Sequence, residues 1–572
     1  MGDKRDEGTD AAYAGRWVAR LQGQIVAHGG TPEQAQRAAQ KSRYKERAEI
    51  SYMPHTIGFI LPPQVETVRN VLPDQEIYLV GGAVRDALLG KVSHDLDFSV
   101  PQDAIGRARR VANALRADFY ILDEAFDAAR VIVRTSPGEP PNPARDFLDF
   151  TSFRPSKNGL ENRIAERGRV STLEDDLRGR DFTINAIAFD LRAGTILDPL
   201  GGAADLRAKS VRACSPTSMQ DDPIRILRGV RLAAALDFKI DPATRKAMKE
   251  AVTGLPGISP ERQRDELFKT LDGKRPEASL RALEILGVFP HMLPELAAMK
   301  GVEQSAPHVA DVWQHTLSVM QHLDGILAAL APDYDAENNS DLFTGLLSLR
   351  LGRYREQFAS HFAAGLNPER SMRALLFFAA LYHDVSKPAT KTVDETGRMR
   401  FFGHEASGAE VAAERARTFN LSNDEVGWVR TIIANHMRFH FHSNKLEGEE
   451  QPPTRRAIYR FFRDTGGAAV DLILLGLGDL RGTRGPMLTQ ETWTSALDVA
   501  RIMLENYWEK PQEAVTPPRL LDGNEAMREL DLKPGPLLGE VLAAIREGQA
   551  AGEVSSREEA IAFGREWLSK RH

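Results

Sequence analysis

The feature that most constrains the fold of this 572-residue chain is the run from Ile77 to Val100. An apolar stretch, Ile77 to Val80, ends in the pair Gly81-Gly82, and an amphipathic segment, Val84 to Leu89, follows at once. An apolar run closed by glycines and followed by helical periodicity reads as strand, tight turn and helix. A second strand is expected over Leu96 to Val100, with Asp95 and Asp97 on one face and Leu96, Phe98 and Val100 on the other. Side chains two apart on a strand point the same way, so the two carboxylates converge on one point. Such a pair suits a hard divalent cation such as Mg²⁺, which takes its remaining ligands from phosphates and water. Backbone at Gly81-Gly82 lets a phosphate approach closely, and a helix start behind it favours an anion. The bland alternative is a glycine turn followed by a solvated acidic strand. The two halves in this order favour phosphate chemistry.

Length predicts about four domain-sized units. Apolar content of 42% and charged content of 27% are those of an ordinary globular protein. The single cysteine, Cys214, excludes an intramolecular disulfide and fits a reducing compartment. Residues 1–10 are polar, and no apolar run reaches the ~18 to 20 residues of a spanning helix, so a cytoplasmic protein without a membrane is expected. A formal charge of −6 gives no global signature of nucleic-acid binding, so any basic patch must be local.

Five regions follow from composition and periodicity. Residues 1–55 form an extension of unknown role, with a helix expected from Pro32 to Ala48 behind Thr31 as cap. Over 56–200 strands alternate with helices, the strands expected at Tyr78–Val80, Leu96–Val100, Val131–Arg134, Phe147–Phe153 and Ile187–Leu191. Ser136 to Pro143 reads as a loop. Residues 201–300 are expected to be helical and slightly basic, which suits an RNA backbone. Residues 301–490 form a second helical unit holding most of the histidines, with an insertion-like stretch from Pro332 to Pro368. A helical tail, 491–572, ends the chain.

The motif Gly81-Gly82-Ala83-Val84-Arg85-Asp86-Ala87-Leu88-Leu89-Gly90 with Asp95-Leu96-Asp97 resembles the class II tRNA nucleotidyltransferase and bacterial poly(A) polymerase family of the DNA polymerase beta-like superfamily. The resemblance continues through Leu173 to Ala186, Asp198 to Gly202, Asp221 to Arg231 and Ser259 to Arg262. It implies an α/β nucleotidyltransferase head followed by mostly α-helical neck, HD and tail domains. It also implies Asp95, Asp97 and a third carboxylate, Asp149, as catalytic groups holding Mg²⁺. Gly82, Arg85 and Arg180 match triphosphate- and nucleotide-contact positions; position 179 is glycine where the family usually has a second arginine. Asp222 and Arg225 match the pair that reads the incoming base, with Asp221 in place of the usual glutamate, and Arg228 and Arg231 follow at further contact positions. Arginine offers only donors and a carboxylate only acceptors, so a fixed pair can tell C and A from G and U. Asp222 before Pro223 is also a good helix cap.

The histidines form a second set: His315, His383-Asp384, His404, His436 and Asp479. Their order resembles the HD superfamily of metal-dependent phosphohydrolases, with Ser386 replacing the glycine of His-Asp-x-Gly-Lys. Histidine and aspartate ligands suit a divalent transition metal, which lowers the pKa of a bound water. The resemblance therefore implies an enzyme that adds C and A to the 3′ end of tRNA from CTP and ATP without a template. The alternatives are poly(A) synthesis, addition of only CC or only A, and an HD phosphohydrolase as the main activity.

Overall fold

The structure, a computed structural model, describes residues 16–21, 24–29, 31–41, 48–53, 61–133, 146–153, 172–334 and 341–571. The chain divides into two units, Met1–Gly254 and Leu255–His572.

The first unit begins with strands β1 (Arg16–Leu21) and β2 (Gln24–Gly29), helix α1 (Pro32–Lys41) and strand β3 (Glu49–Met53). They make an antiparallel sheet, order β2-β1-β3, with α1 packed on β1 and β2. The sequence signals only a helix here, expected to reach Ala48. The described helix spans Pro32–Lys41, residues 42–47 lie outside the described residues, and the sheet was not foreseen. Its strands are short and bulged between Ala19 and Arg20, so they carry little period-2 signal.

The head follows. It comprises α2 (Pro63–Val71), β4 (Tyr78–Val80), α3 (Gly82–Leu88), β5 (Asp95–Val100), α4 (Ala104–Leu115), β6 (Asp118–Asp123), β7 (Ala128–Val133) and β8 (Asp146–Ser152). After these come α5 (Leu173–Arg178), β9 (Ala188–Asp190) and β10 (Thr195–Leu197). The strands form one seven-stranded sheet, order β10-β9-β4-β5-β8-β7-β6, in which only β5 and β8 run parallel. Strands β6 and β10 went unmarked in the sequence. The expected loop at Ser136–Pro143 and residue Arg134 lie outside the described residues. Leu96, Phe98, Leu148 and Phe150 are buried, and the Phe98 and Phe150 rings stack at 4.9 Å. Helix α4 covers β7 and β8 with Ala104, Ala108, Val111 and Ala112, a helical stripe of small and branched residues. The core therefore takes one face of β5 and β8, and the alternation leaves the carboxylates on the other. Helices α6 (Gly202–Arg207), α7 (Arg225–Leu236) and α8 (Pro242–Ala251) close the unit.

The second unit is helical. Its longer helices are α9 (Pro260–Leu271), α10 (Pro276–Leu286), α11 (Val312–Ala329), α12 (Leu342–Leu351), α13 (Arg355–Ala363), α14 (Met372–Tyr382), α15 (His404–Thr418) and α16 (Asn423–Asn435). There follow α17 (Met437–Glu449), α18 (Arg455–Thr465), α19 (Ala469–Arg484), α20 (Gln490–Trp508), α21 (Gly523–Glu529), α22 (Pro536–Ala551) and α23 (Arg557–Ser569). The insertion-like stretch holds α12 and α13. Helix α14 is buried from Ala374 to Tyr382 on all sides, as a central helix must be. Two short strand pairs interrupt the helices expected after residue 200: Ser210–Val211 with Lys239–Ile240, and Thr392–Val393 with Met399–Arg400. Among the described residues no helix is long and apolar enough to cross a membrane.

Candidate functional site

Strand register assembles the head site. Val80 pairs with Asp97 across β4 and β5, and Asp97 pairs with Asp149 across β5 and β8. Asp95, Asp97 and Asp149 thus share one face of two adjacent strands. Gly81 adopts φ +75°, and a Cβ there would lie 2.8 Å from Asp97 Oδ2 and 3.4 Å from Arg180 Nη1. Glycine is required on both counts. Arg180 donates through Nη2 to Ser99 Oγ at 3.1 Å and Asp176 Oδ2 at 3.2 Å. Burial opposes its charge, but Asp176 and Asp97 outweigh that and raise its pKa further. Burial, aided by Asp95 and Asp149 and opposed by Arg180, pushes the Asp97 carboxyl up to about 6. A carboxylate held against burial and like charge is relieved by a divalent cation, so the residues fit Mg²⁺.

Two further cations are engaged within the protein. Arg130, which no sequence signal marked, forks onto Asp149 with two bonds of 2.7 Å. Arg85 forks onto Asp86 at 2.8 and 2.9 Å and reaches Asn185 Oδ1 at 2.7 Å. Gly82 lies beside Arg85, its notional Cβ 3.4 Å from Nη2.

Arg225 opens α7 and donates to Gly179 O at 2.7 Å, Ser218 Oγ at 2.8 Å and Arg180 O at 3.2 Å. It therefore ties the helix to the segment carrying Arg180. Arg228, nearly one turn on, meets Asp181 Oδ2 at 3.2 Å, and Arg231 lies three residues further along the helix. Asp222 sits between the single turn Ser218–Asp221 and α7. It does not cap α7: Ile224 occupies that position, and the Asp222 carbonyl accepts the Arg225 N–H at 3.1 Å. The Pro223-Ile224 turn delays the helix, so the expected cap falls too early.

In the second unit four helices and one loop bring all six marked ligands together. His315 comes from α11, His383 and Asp384 from the end of α14, His404 from the start of α15, His436 from the α16–α17 junction and Asp479 from α19. Ligand atoms of His315, His383 and Asp479 lie within 4.8 Å of one another, as do those of Asp384, His404 and His436. Asp384 stands between the groups. Its Oδ2 is 3.4 and 3.2 Å from His315 and His383 Nε2, and its Oδ1 is 3.4 and 3.8 Å from His404 and His436 Nε2. The Nδ1 atoms of His383, His404 and His436 each sit 2.7 Å from a carbonyl three residues back, Ala380, Phe401 and Ile433. That bond turns every Nε2 inward.

The charge pattern fits a metal. Burial works against charge on His315, but Asp384 and Asp479 hold it up at about 9, whereas burial and His383 push His436 down to about 3. Despite burial, His383 and Lys387 hold Asp384 well below the usual carboxylate range, and His440 and His315 do the same for Asp479. Both Asp384 oxygens are buried without a well-formed hydrogen bond, although Lys387 Nζ is 2.7 Å from Oδ2. Nε2 atoms meet at 3.3 Å in His315–His383 and again in His404–His436. Facing ring nitrogens around the Asp384 carboxylate suit one or two divalent transition ions. His440 was missed in the sequence. Its Nε2 is 2.6 Å from Asp479 Oδ2, and its spacing of four from His436, one helical turn, was the available signal.

Comparison with known proteins agrees with this layout. Family models match residues 77–212 as "Poly A polymerase head domain", 237–300 as "Probable RNA and SrmB- binding site of polymerase A" and 312–461 as "HD domain". The A-adding tRNA nucleotidyltransferase of Deinococcus radiodurans is 32% identical over 502 residues, covering 86% of this chain and 95% of that protein. The CC-adding enzyme of Thermus thermophilus is 32% identical over 505 residues, covering 87% and 95%. A solved CCA-adding enzyme in complex with ATP shares the fold, with a TM-score of 0.54 at 20% identity over 90% of this chain and 97% of that one. The chain therefore belongs to the tRNA nucleotidyltransferase and bacterial poly(A) polymerase family of enzymes, with an HD domain in its helical half.

Proposed function

We propose that this enzyme adds C and A residues to the 3′ end of tRNA, using CTP and ATP and no nucleic-acid template. One observation carries the reading: register places Asp97 between Gly81 and Asp149, with the half-buried Arg180 against the same glycine. Carboxylates for a cation thus adjoin a glycine turn and a guanidinium suited to a triphosphate. Mg²⁺ held by Asp95 and Asp97 supplies charge stabilisation for the attacking and leaving oxygens when bound. The chain's own residues orient the reactants: Arg180 and Arg85 hold phosphates beside Gly81 and Gly82, and Asp222 and Arg225 read the base edge. Arg228 and Arg231 complete the nucleotide and primer contacts. The cytoplasm is the proposed compartment.

A narrower reading has its own support. Relatives matched over nearly their whole length divide at equal identity, one named A-adding and one CC-adding. Incubating the purified protein with tRNA ending before the CCA, or after CC, and with each labelled nucleotide separately, distinguishes full from partial addition. Incorporation of neither C nor A into either tRNA overturns both readings. The six HD residues are proposed to hold a transition metal that activates water for phosphoester hydrolysis, a second activity of the same chain.

A further inference from the structure

We infer that the helical unit carries a nucleobase-binding pocket, distinct from the histidine cluster. A cavity of about 550 Å³ is walled by Glu356, Gln357, Ser360 and His361 of α13 and by Tyr507 and Trp508 at the end of α20. That volume lies within the range of small-molecule sites. None of these residues has a role in either centre described above.

The wall is built rigid. Trp508 is packed edge-on against Phe358 at 5.0 Å and tilted against Tyr354 at 5.1 Å, and Tyr507 stacks flat on Phe462 at 4.9 Å. Both are half-buried, so each keeps surface for the cavity. Behind His361 stands Asp471, which is fully buried. Its Oδ2 accepts from His361 Nε2 at 3.0 Å and Trp428 Nε1 at 3.1 Å, while Oδ1 is buried with no hydrogen-bond partner. Burying a carboxylate with one oxygen unsatisfied is unfavourable. What it does here is fix the imidazole: with Nε2–H given to Asp471, Nδ1 is the ring's remaining polar atom. Gln357 adds an amide whose Oε1 is also buried without a partner.

Fixed aromatic surfaces stack on bases, and an amide and an imidazole beside them supply polar groups for a base edge. The six lining residues include Glu356 and no lysine or arginine, so the pocket selects the base and not the phosphate. The ligand is therefore a nucleobase, carried by a free nucleotide or by an unstacked position of an RNA strand.

Photocrosslinking of the full-length protein tests this with two probes, 8-azido-AMP and a hexaribonucleotide containing 4-thiouridine, followed by peptide mapping. At least one probe is expected to label peptides carrying Gln357–His361 or Tyr507–Trp508, and the probe that does so identifies the source. Gln357→Ala should reduce this labelling roughly three- to tenfold. Trp508→Ala should abolish it and Trp508→Phe retain it, with circular dichroism reporting the fold of each variant. Absence of label from both peptides, or labelling unchanged in Gln357→Ala and Trp508→Ala alike, overturns the proposal. Nucleotide incorporation by the same variants is read separately, so failure of the pocket does not count against the proposed transferase.

Discussion

Asp97 owes its chemistry to the strands on either side of it. Its carboxyl is raised from 3.8 to about 6, chiefly by burial and then by its acidic neighbours. A carboxyl whose folded pKa exceeds its unfolded value supports the fold while protonated, and that support is lost as pH rises from about 3.8 through about 6. Asp97→Asn in metal-free protein should therefore raise stability at pH 8 by up to about 3 kcal/mol. The gain should shrink by about 1.4 kcal/mol per pH unit below about 6. Thermal melts at pH 5 and pH 8 check it, and a pH-independent gain would show that burial does not strain this group. The same variant should lose nucleotide incorporation. Gly81→Ala is expected to lower kcat/KM for incorporation at least about tenfold: the left-handed φ adds roughly 1 to 2 kcal/mol of strain and the new methyl displaces Asp97. Normal incorporation by Gly81→Ala would mean that Asp97 can move without consequence.

At the scale of elements, sites are made by how closely helices approach. Helix α19 lies against α11 through Gly478 and Gly482, where an added Cβ would meet Leu323 Cβ at 3.3 Å and Val319 Cγ2 at 2.8 Å. That approach lets Asp479 reach His315 at 3.1 Å. Gly482→Ala should cost about 1 to 3 kcal/mol by overpacking and should lower bound transition metal, both measurable by thermal melting with metal analysis. Unchanged metal content would separate the helix spacing from the site. Helix α7 is tied to the head through Arg225, the proposed base-reading residue, whose donors end on Gly179, Arg180 and Ser218. Arg225→Ala is expected to weaken discrimination against UTP and GTP by about 1 to 3 kcal/mol, assayed with the four nucleotides in turn. Unchanged nucleotide choice would leave Arg225 as a strut and nothing more.

Across the whole molecule, the head carboxylates and the histidine cluster belong to different units, each with its own buried core. Units with separate cores can in principle fold and act independently. His383→Ala combined with Asp384→Ala should lose transition metal and any phosphohydrolase activity while still adding nucleotides to tRNA. Equal metal content in wild type and double variant would refute the ligand assignment, and loss of nucleotide addition would show that the units depend on one another.

What the sequence determined by itself is local. Gly81-Gly82 before a helical stripe, Asp95 and Asp97 at strand spacing, and His383-Asp384 at the end of an apolar helix are short-range patterns, governed by periodicity and backbone sterics. The rest comes from contacts between segments far apart in the chain. The parallel register of β5 and β8 sets Asp149 beside Asp97 although the hairpin of β6 and β7 intervenes between them in sequence. Arg130 comes onto Asp149 only because β7 lies next to β8. Asp384 becomes the shared wall of two ligand groups only when four helices and a loop converge on it. The sheet over residues 16–53 went unseen for the same reason, since pairing rather than propensity holds its short strands. Periodicity gives a residue its face. The partner it meets there depends on chain topology, which no local pattern encodes.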